Sequence, residues 1–224
     1  MEKLCNNIAE KIAYELNYDK NKKEVIAYGM FALLQMTLSI LLVVLFGALF
    51  DVMLEALIIS FTTSILRKYS GGVHASSSAA CIILGTVICI GQAVVIKFLS
   101  NYGVTLNAVI ISGVVIFVWS FGLIYKLAPV DSPSKPIVRQ EKRSKMKKGS
   151  IIILSAYLFI VITTIIIYLY NGSNNLIKYC LCIYMGILWQ VFTITTYGHL
   201  IIKKLELFFI NILKLRGEKN EKIK

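Results

Sequence analysis

Six apolar runs dictate what this 224-residue chain can become. They extend from Val25 to Phe50, Val52 to Leu66, Ala79 to Leu99, Val104 to Tyr125, Ser150 to Tyr170 and Leu176 to Leu200. Several approach or exceed the ~20 apolar residues that carry a helix across a bilayer. Inside hydrocarbon no water is available to the backbone, so each span must satisfy its own amide groups as a helix. Hydrophobic residues make up 57% of the chain, above the ~45–50% of an ordinary soluble domain. The expectation is an all-α integral membrane protein with about six transmembrane helices plus N- and C-terminal amphipathic interfacial helices. It forms a single polytopic domain over 1–224, with an N-terminal amphipathic segment (1–24), a bundle (25–200) and a basic C-terminal tail (201–224). The second run is short and carries Glu55, which leaves open whether it crosses or re-enters.

Turn chemistry separates the runs. Asp51 marks a tight turn, Ser100-Asn101-Tyr102-Gly103 predicts a helical hairpin, and Asn171-Gly172-Ser173-Asn174-Asn175 predicts another. Lysine and arginine crowd the N-terminal tail, the connection at Arg67 and Lys68, the connection from Lys126 to Lys148, and the C-terminal tail. The opposite connections hold only Lys97 and Lys178. By the positive-inside rule both termini are expected to face the cytoplasm, a parity that six spans satisfy. Leu4, Ile8, Ile12 and Leu16 recur among charges, as do Leu205, Phe208, Phe209 and Ile212, which predicts two helices lying in the membrane surface.

The net charge of +12 sits in tails and loops between apolar runs, where topology and anionic lipids account for it; no nucleic acid partner is expected. The start of the chain has charges throughout and lacks the pattern of a removed secretory signal. Cys5, Cys81, Cys89, Cys180 and Cys182 are odd in number and follow no disulfide framework, so at least one is a free thiol. Cys89, Cys180 and Cys182 read as small packing residues. Cys180 and Cys182 have no second ligand pair nearby, so neither metal nor cofactor is expected.

The stretch from Arg67 to Cys81, RKYSGGVHASSSAAC, is different. In one continuous helix His74 and Cys81 would lie roughly 10 Å apart along the axis, too far for a hydrogen bond. Gly71 and Gly72 disfavour helix, while Ser76, Ser77 and Ser78 are good N-caps, so a helix starting there would free His74 to fold back. With Ser78 as cap, Cys81 takes the third helical position, where unpaired N–H groups and the helix dipole favour a thiolate. The same groups could form an oxyanion hole. His199 reads as an interfacial residue at the right depth to approach the site. Glu55 needs a partner if buried, which makes it a functional candidate, although its depth argues against a direct role. The connection from Ala128 to Ser150 holds all three prolines and is expected to be extended rather than helical. It is either an ordinary basic loop or a platform. In the second case Lys135 sits over the site, and the run from Arg139 to Lys148, with Arg139, Lys142 and Arg143, docks an acidic peptide.

These residues resemble the accessory gene regulator B (AgrB) family of quorum-sensing propeptide-processing membrane endopeptidases. The resemblance rests on Arg67, Gly71, Gly72, His74, Ala75 and Cys81 in the pattern R-x-x-x-G-G-x-H-A-x(5)-C, followed by Pro-Val-Asp-Ser-Pro-Ser-Lys-Pro-Ile at 129–137. It extends over the order of the apolar runs. It implies that Cys81 is the nucleophile and His74 its partner, that Arg67, Gly72 and Lys135 support activity, and that the protein is a homodimer. It further implies an AgrD-like propeptide as partner, with an amphipathic helix and an acidic C-terminal tail. Family members differ in how many lysines precede Pro136; this chain has Lys135 alone, behind Pro133 and Ser134. The alternative is a multi-pass exporter or permease for small peptides or ions. That class builds internal repeats or broken helices with midplane polar groups, of which only Glu55 is a trace here.

Overall fold

The computed structural model describes residues 2–72, 78–131, 139–205 and 207. His74 and Lys135 lie outside the described residues, as do Phe208, Phe209 and Ile212 of the expected C-terminal stripe. The described residues form α1 (Glu2–Glu15), α2 (Lys20–Leu49), α3 (Met53–Ser70), α4 (Ser78–Asn101), α5 (Leu106–Leu127), α6 (Gln140–Asn171) and α7 (Asn174–Thr193), with a further helical stretch over 196–205. Five of these, α2, α4, α5, α6 and α7, are long and apolar enough to cross a membrane. The chain is an all-α integral membrane protein. The second expected run forms α3, whose 18 residues reach about 27 Å at ~1.5 Å per residue.

Two compact units meet within α2, Met1–Leu42 and Val43–Lys224. In the first, α1 ends in a Schellman turn: Asn17 is left-handed (φ 51°) and Tyr18 N–H donates to Ala13 O at 2.9 Å. Lys23 donates to Glu10 at 2.7 Å and holds that exposed carboxyl below its ordinary pKa. The buried positions of α1 are Cys5, Ala9 and Ala13, whereas Leu4 and Leu16 are exposed. The buried line is thus displaced by one residue, or ~100° of rotation, from the predicted stripe.

In the second unit the hairpin turns are those the sequence predicts. Asp51 (φ 53°) closes α2 as a Schellman residue, with Val52 N–H donating to Gly47 O at 2.8 Å. Lys97 at the end of α4 donates to the Asp51 carboxylate at 2.7 Å and to its carbonyl at 3.0 Å. Thr105 caps α5, and Gly172 ends α6 in the left-handed conformation.

The short helix α3 packs against α4, α6 and α7. Small residues let it approach: Gly186 of α7 lies against Thr62 and Ile59, and Thr63 Oγ1 donates to Gly186 O at 3.2 Å. Tyr157 of α6 donates its hydroxyl to Thr62 O at 3.1 Å. Glu55 finds its partner in Lys178 of α7 at 2.6 Å, with only 9% of the Glu55 side chain exposed. Among α5, α6 and α7 the core is apolar, around Phe117, Leu154, Tyr184 and Ile187.

Two expectations are corrected. The connection before the fifth apolar run is not extended to Ser150, because α6 begins at Gln140. All three prolines precede residue 137, and QEKRSKMKK at 140–148 consists almost wholly of good helix formers. The basic extension is held to α5 by Lys147 over the Tyr125 ring at 4.3 Å. The last run is also not continuous to Leu200. It breaks at Ile194 and Thr195, where Thr195 Oγ1 accepts from Gly198 N–H at 3.1 Å and starts the 196–205 stretch. Gly198 permits the tight corner, since a Cβ there would collide with the Phe192 carbonyl.

Candidate functional site

At the C-terminal end of α3 the chain leaves the helix through Gly71 (φ 69°) and Gly72 (φ 126°). Gly71 forms an isolated parallel bridge with Val130. Val130 N–H donates to Ser70 O at 3.0 Å, and Gly72 N–H donates to Val130 O at 3.3 Å. A side chain at Gly71 would drive its Cβ into the Val130 carbonyl. One at Gly72 would press on Thr193 Oγ1 at 3.0 Å. The glycines therefore serve both backbone angle and close approach. The bridge sets Gly71 and Val130 side by side, 59 positions apart in sequence. Arg143 of α6 donates to Asp131, next to Val130, at 2.8 Å. Its charge is thus engaged within the chain, whereas Arg139 and Lys142 are exposed.

Gln190 of α7 is fully buried under the bridge. Its Nε2 donates to Ser70 Oγ at 2.8 Å and to Gly71 O at 2.8 Å. Thr193 Oγ1 donates to Gln190 O at 2.8 Å. Sequence reasoning passed over Gln190; the available signal was an amide in an apolar run, which a membrane interior tolerates only when it is paired.

Ser78 is the first described residue of α4, which puts Cys81 in its first turn as the fourth residue. Cys81 is half-buried and opens on a cavity of about 40 Å³. Cys81, Leu84, Gly85 and Ile88 line it from one face of α4, at i, i+3, i+4 and i+7. Arg67 of α3, Trp189 of α7, and Ile202 and Leu205 complete the walls, and Arg67 is the one charged lining residue among the described residues. The Arg67 guanidinium and the Cys81 thiol thus face one cavity. His199 stands one turn before Ile202, with its Nε2 buried and without a hydrogen-bond partner among the described residues. All five cysteines are free thiols; Cys5, Cys89, Cys180 and Cys182 are buried.

A larger cavity of about 560 Å³ lies at the far ends of α3 and α4 and the start of α7. Asp51, Glu55, Lys97 and Lys178 line it, and these four are paired with one another. Among the described residues it is lined by no thiol or imidazole; Glu55 lies here, whereas Arg67 and Cys81 line the other cavity.

Fold and site together define a polytopic α-helical membrane protein whose one half-buried thiol shares a cavity with a guanidinium at the end of the bundle. The accessory gene regulator B family matches residues 5–194. Two relatives from Clostridium perfringens, "Putative AgrB-like protein" of strain SM101 and "Putative AgrB-like protein 2" of strain 13, are each 44% identical over 216 residues, covering 95% of this chain and 100% of theirs. A "Putative AgrB-like protein" of Clostridium acetobutylicum is 25% identical over 183 residues, 81% of this chain and 79% of its own. No solved structure matches. The chain belongs to the AgrB family, which assigns it to the accessory gene regulator system and implies a role in propeptide processing.

Proposed function

We propose that the chain is a membrane cysteine endopeptidase that cleaves an AgrD-like quorum-sensing propeptide on its C-terminal side and promotes its cyclisation to an autoinducing thiolactone or lactone. The observation that carries this reading is the shared cavity of Cys81 and Arg67 in the first turn of α4. A helix N-terminus and a guanidinium both favour the thiolate, which is the nucleophilic form. Membership in the AgrB family supports the choice of substrate.

In the proposed sequence His74 accepts the Cys81 proton and the thiolate adds to a propeptide carbonyl. First-turn N–H groups of α4 stabilise the oxyanion. The C–N bond breaks, the amine of the C-terminal fragment leaves with the proton from His74, and the N-terminal portion remains as a Cys81 thioester. A thiol or hydroxyl inside the bound peptide then attacks this acyl group, its proton passes to the departing Cys81 thiolate, and the ring is released. Attack by a thiol exchanges one thioester for another, so that step needs positioning and exclusion of water rather than an energy source. Apolar walls from Leu84, Ile88, Trp189 and Ile202 suit such exclusion.

The acidic propeptide tail would meet the exposed Arg139 and Lys142, with Lys135 over the site, Arg143 shaping the platform through Asp131, and the propeptide's amphipathic helix on the membrane surface. Gly71 and Gly72 hold the backbone path, and Ser78 lies three residues before the nucleophile on α4. The proposed setting is a homodimer among anionic lipids of the bacterial cytoplasmic membrane, with both termini and the site on the cytoplasmic side. The test incubates purified protein with propeptide and seeks an acyl adduct on Cys81 by mass spectrometry. Undiminished cleavage by Cys81→Ala refutes the proposal.

A further inference from the structure

Gln190 is 120 residues from Ser70 and 119 from Gly71 in sequence, yet it spends both hydrogens of its amide on that one junction. Ser70 Oγ in turn donates to Leu66 O at 3.0 Å, and Gly71 N–H donates to Arg67 O at 3.0 Å. The final turn of α3 is therefore tied to α7 through a continuous set of bonds that ends on the peptide unit of Arg67. The preceding residue of α7, Trp189, lines the Cys81 cavity beside Arg67. One turn of α7 thus does two things at once: it fixes the helix end that carries the guanidinium, and it supplies a wall of the space where that guanidinium meets the thiol.

A simpler role for a buried glutamine is to join two helices. Elsewhere, α3 already has joints of that kind: Glu55 with Lys178 at its start, and Thr63 and Thr62 with Gly186 and Tyr157 in its middle. What distinguishes Gln190 is the place it holds. A fully buried amide in a membrane bundle is costly unless every donor is satisfied, and both of its donors are satisfied by the segment on which the cavity depends. The same junction accepts Val130, so Gln190 also lies beneath the bridge.

We propose that Gln190 is a positioning residue for the Cys81 site: by clamping Ser70 and Gly71 it sets where the Arg67 guanidinium stands relative to the thiol. This rests on the assignment of Cys81 as nucleophile for its consequence in catalysis, but not for its effect on the thiol itself. With the clamp intact, the end of α3 keeps Arg67 at the Cys81 cavity. With it lost, the end of α3 relaxes and the guanidinium is no longer held there.

Two readouts on the full-length protein in detergent or liposomes test this. The first is the pH dependence of Cys81 alkylation by iodoacetamide, followed on the Cys81 peptide by mass spectrometry. Gln190→Met keeps the volume and removes both donors; its Cys81 alkylation midpoint is expected to rise above that of the parent. Arg67→Gln is expected to shift it the same way. The double variant Arg67→Gln with Gln190→Met should shift it no further than Arg67→Gln alone, the mark of two residues acting through one interaction. Tyr157→Phe removes a buried bond from the middle of α3 and should leave the midpoint where it was.

The second readout is propeptide cleavage. There Gln190→Met should lower kcat about 10- to 100-fold, with KM changed less than about twofold, because misplacing a group by about an ångström falls on the chemical step. An alkylation midpoint unchanged in Gln190→Met overturns the proposal, as does a double variant shifted by the sum of the single shifts. If Gln190→Met does not accumulate in the membrane, Gln190→Asn, which keeps an amide too short to reach both acceptors, decides on the same measurement. Undiminished cleavage by Cys81→Ala would overturn the peptidase assignment, while the alkylation series would still decide on Gln190.

Discussion

Replacing Gly71 by alanine tests the bridge on which the arrangement of the site depends. At φ 69° and ψ −148°, Gly71 occupies a region nearly closed to residues with a Cβ, and holding alanine there costs about 1–3 kcal/mol. The new methyl would also collide with the Val130 carbonyl, so the bridge must open. Opening it breaks Val130 N–H to Ser70 O and Gly72 N–H to Val130 O. Each is worth about 0.5–1.5 kcal/mol. The chain can relieve the backbone strain or keep the bonds, but not both, so the net loss is expected at about 1–3 kcal/mol. The matched control is Gly85→Ala on the Cys81 face of α4, where nothing lies within 4 Å of the added methyl. There, alanine in a helix is expected to be neutral or to stabilise by up to about 1 kcal/mol. Urea or thermal unfolding in a defined detergent, followed by tryptophan fluorescence, measures both, and propeptide cleavage measures the consequence. Gly71→Ala should lose stability and activity while Gly85→Ala keeps its stability. If Gly71→Ala unfolds with the parent and cleaves as fast, the bridge does not hold the site and the reasoning fails.

Three further perturbations address the frame. Glu55→Gln strands Lys178 in a mostly buried place and should cost about 2–4 kcal/mol, while Glu55→Leu with Lys178→Met should recover most of the loss; a double-mutant cycle by thermal unfolding in detergent that shows no coupling would contradict this. Gly113→Ala drives a methyl into the Tyr184 ring and should destabilise by about 1–3 kcal/mol, and Tyr184→Phe, by removing the nearest atom, should restore part of it in the same assay. Asp51 is exposed, and Lys97 holds its carboxyl below the ordinary value. Any stability it contributes is complete above the ordinary aspartate pKa of ~3.9 and is lost as pH falls through the lowered one. Asp51→Asn at neutral pH should therefore leave the melting temperature unchanged, since Lys97 retains the Asp51 carbonyl and exposed pairs contribute little; a clear fall would show that the carboxylate itself secures the turn.

The contrast between what sequence reveals and what it hides follows from the range of the forces. Asp51, Gly103 and Gly172 could be placed at helix ends because left-handed backbone is a local requirement, met by a few residue types. The apolar runs were legible because the bilayer imposes one length on every span. The break at Ile194 and Thr195 was not, because an isoleucine and a threonine suit helix and turn alike, and the corner depends on Gly198 approaching Phe192. Nor was the helical start of α6, since prolines in one part of a connection say nothing of the residues beyond them. At the site the division is sharper. Cys81, Arg67 and the glycine pair form a local pattern, and the structure brings the thiol and guanidinium to one cavity. The bond partners of that pattern, Val130 and Gln190, lie 59 and about 120 residues away and have no local signature. A glycine pair read alone promises flexibility. Here its missing side chains admit the Val130 carbonyl on one side and Thr193 on the other, so the same glycines make the junction rigid. In this chain the glycines before His74 act by what they allow to come close, and a substitution there is best understood through Val130, Gln190 and Thr193 rather than through the freedom of the loop.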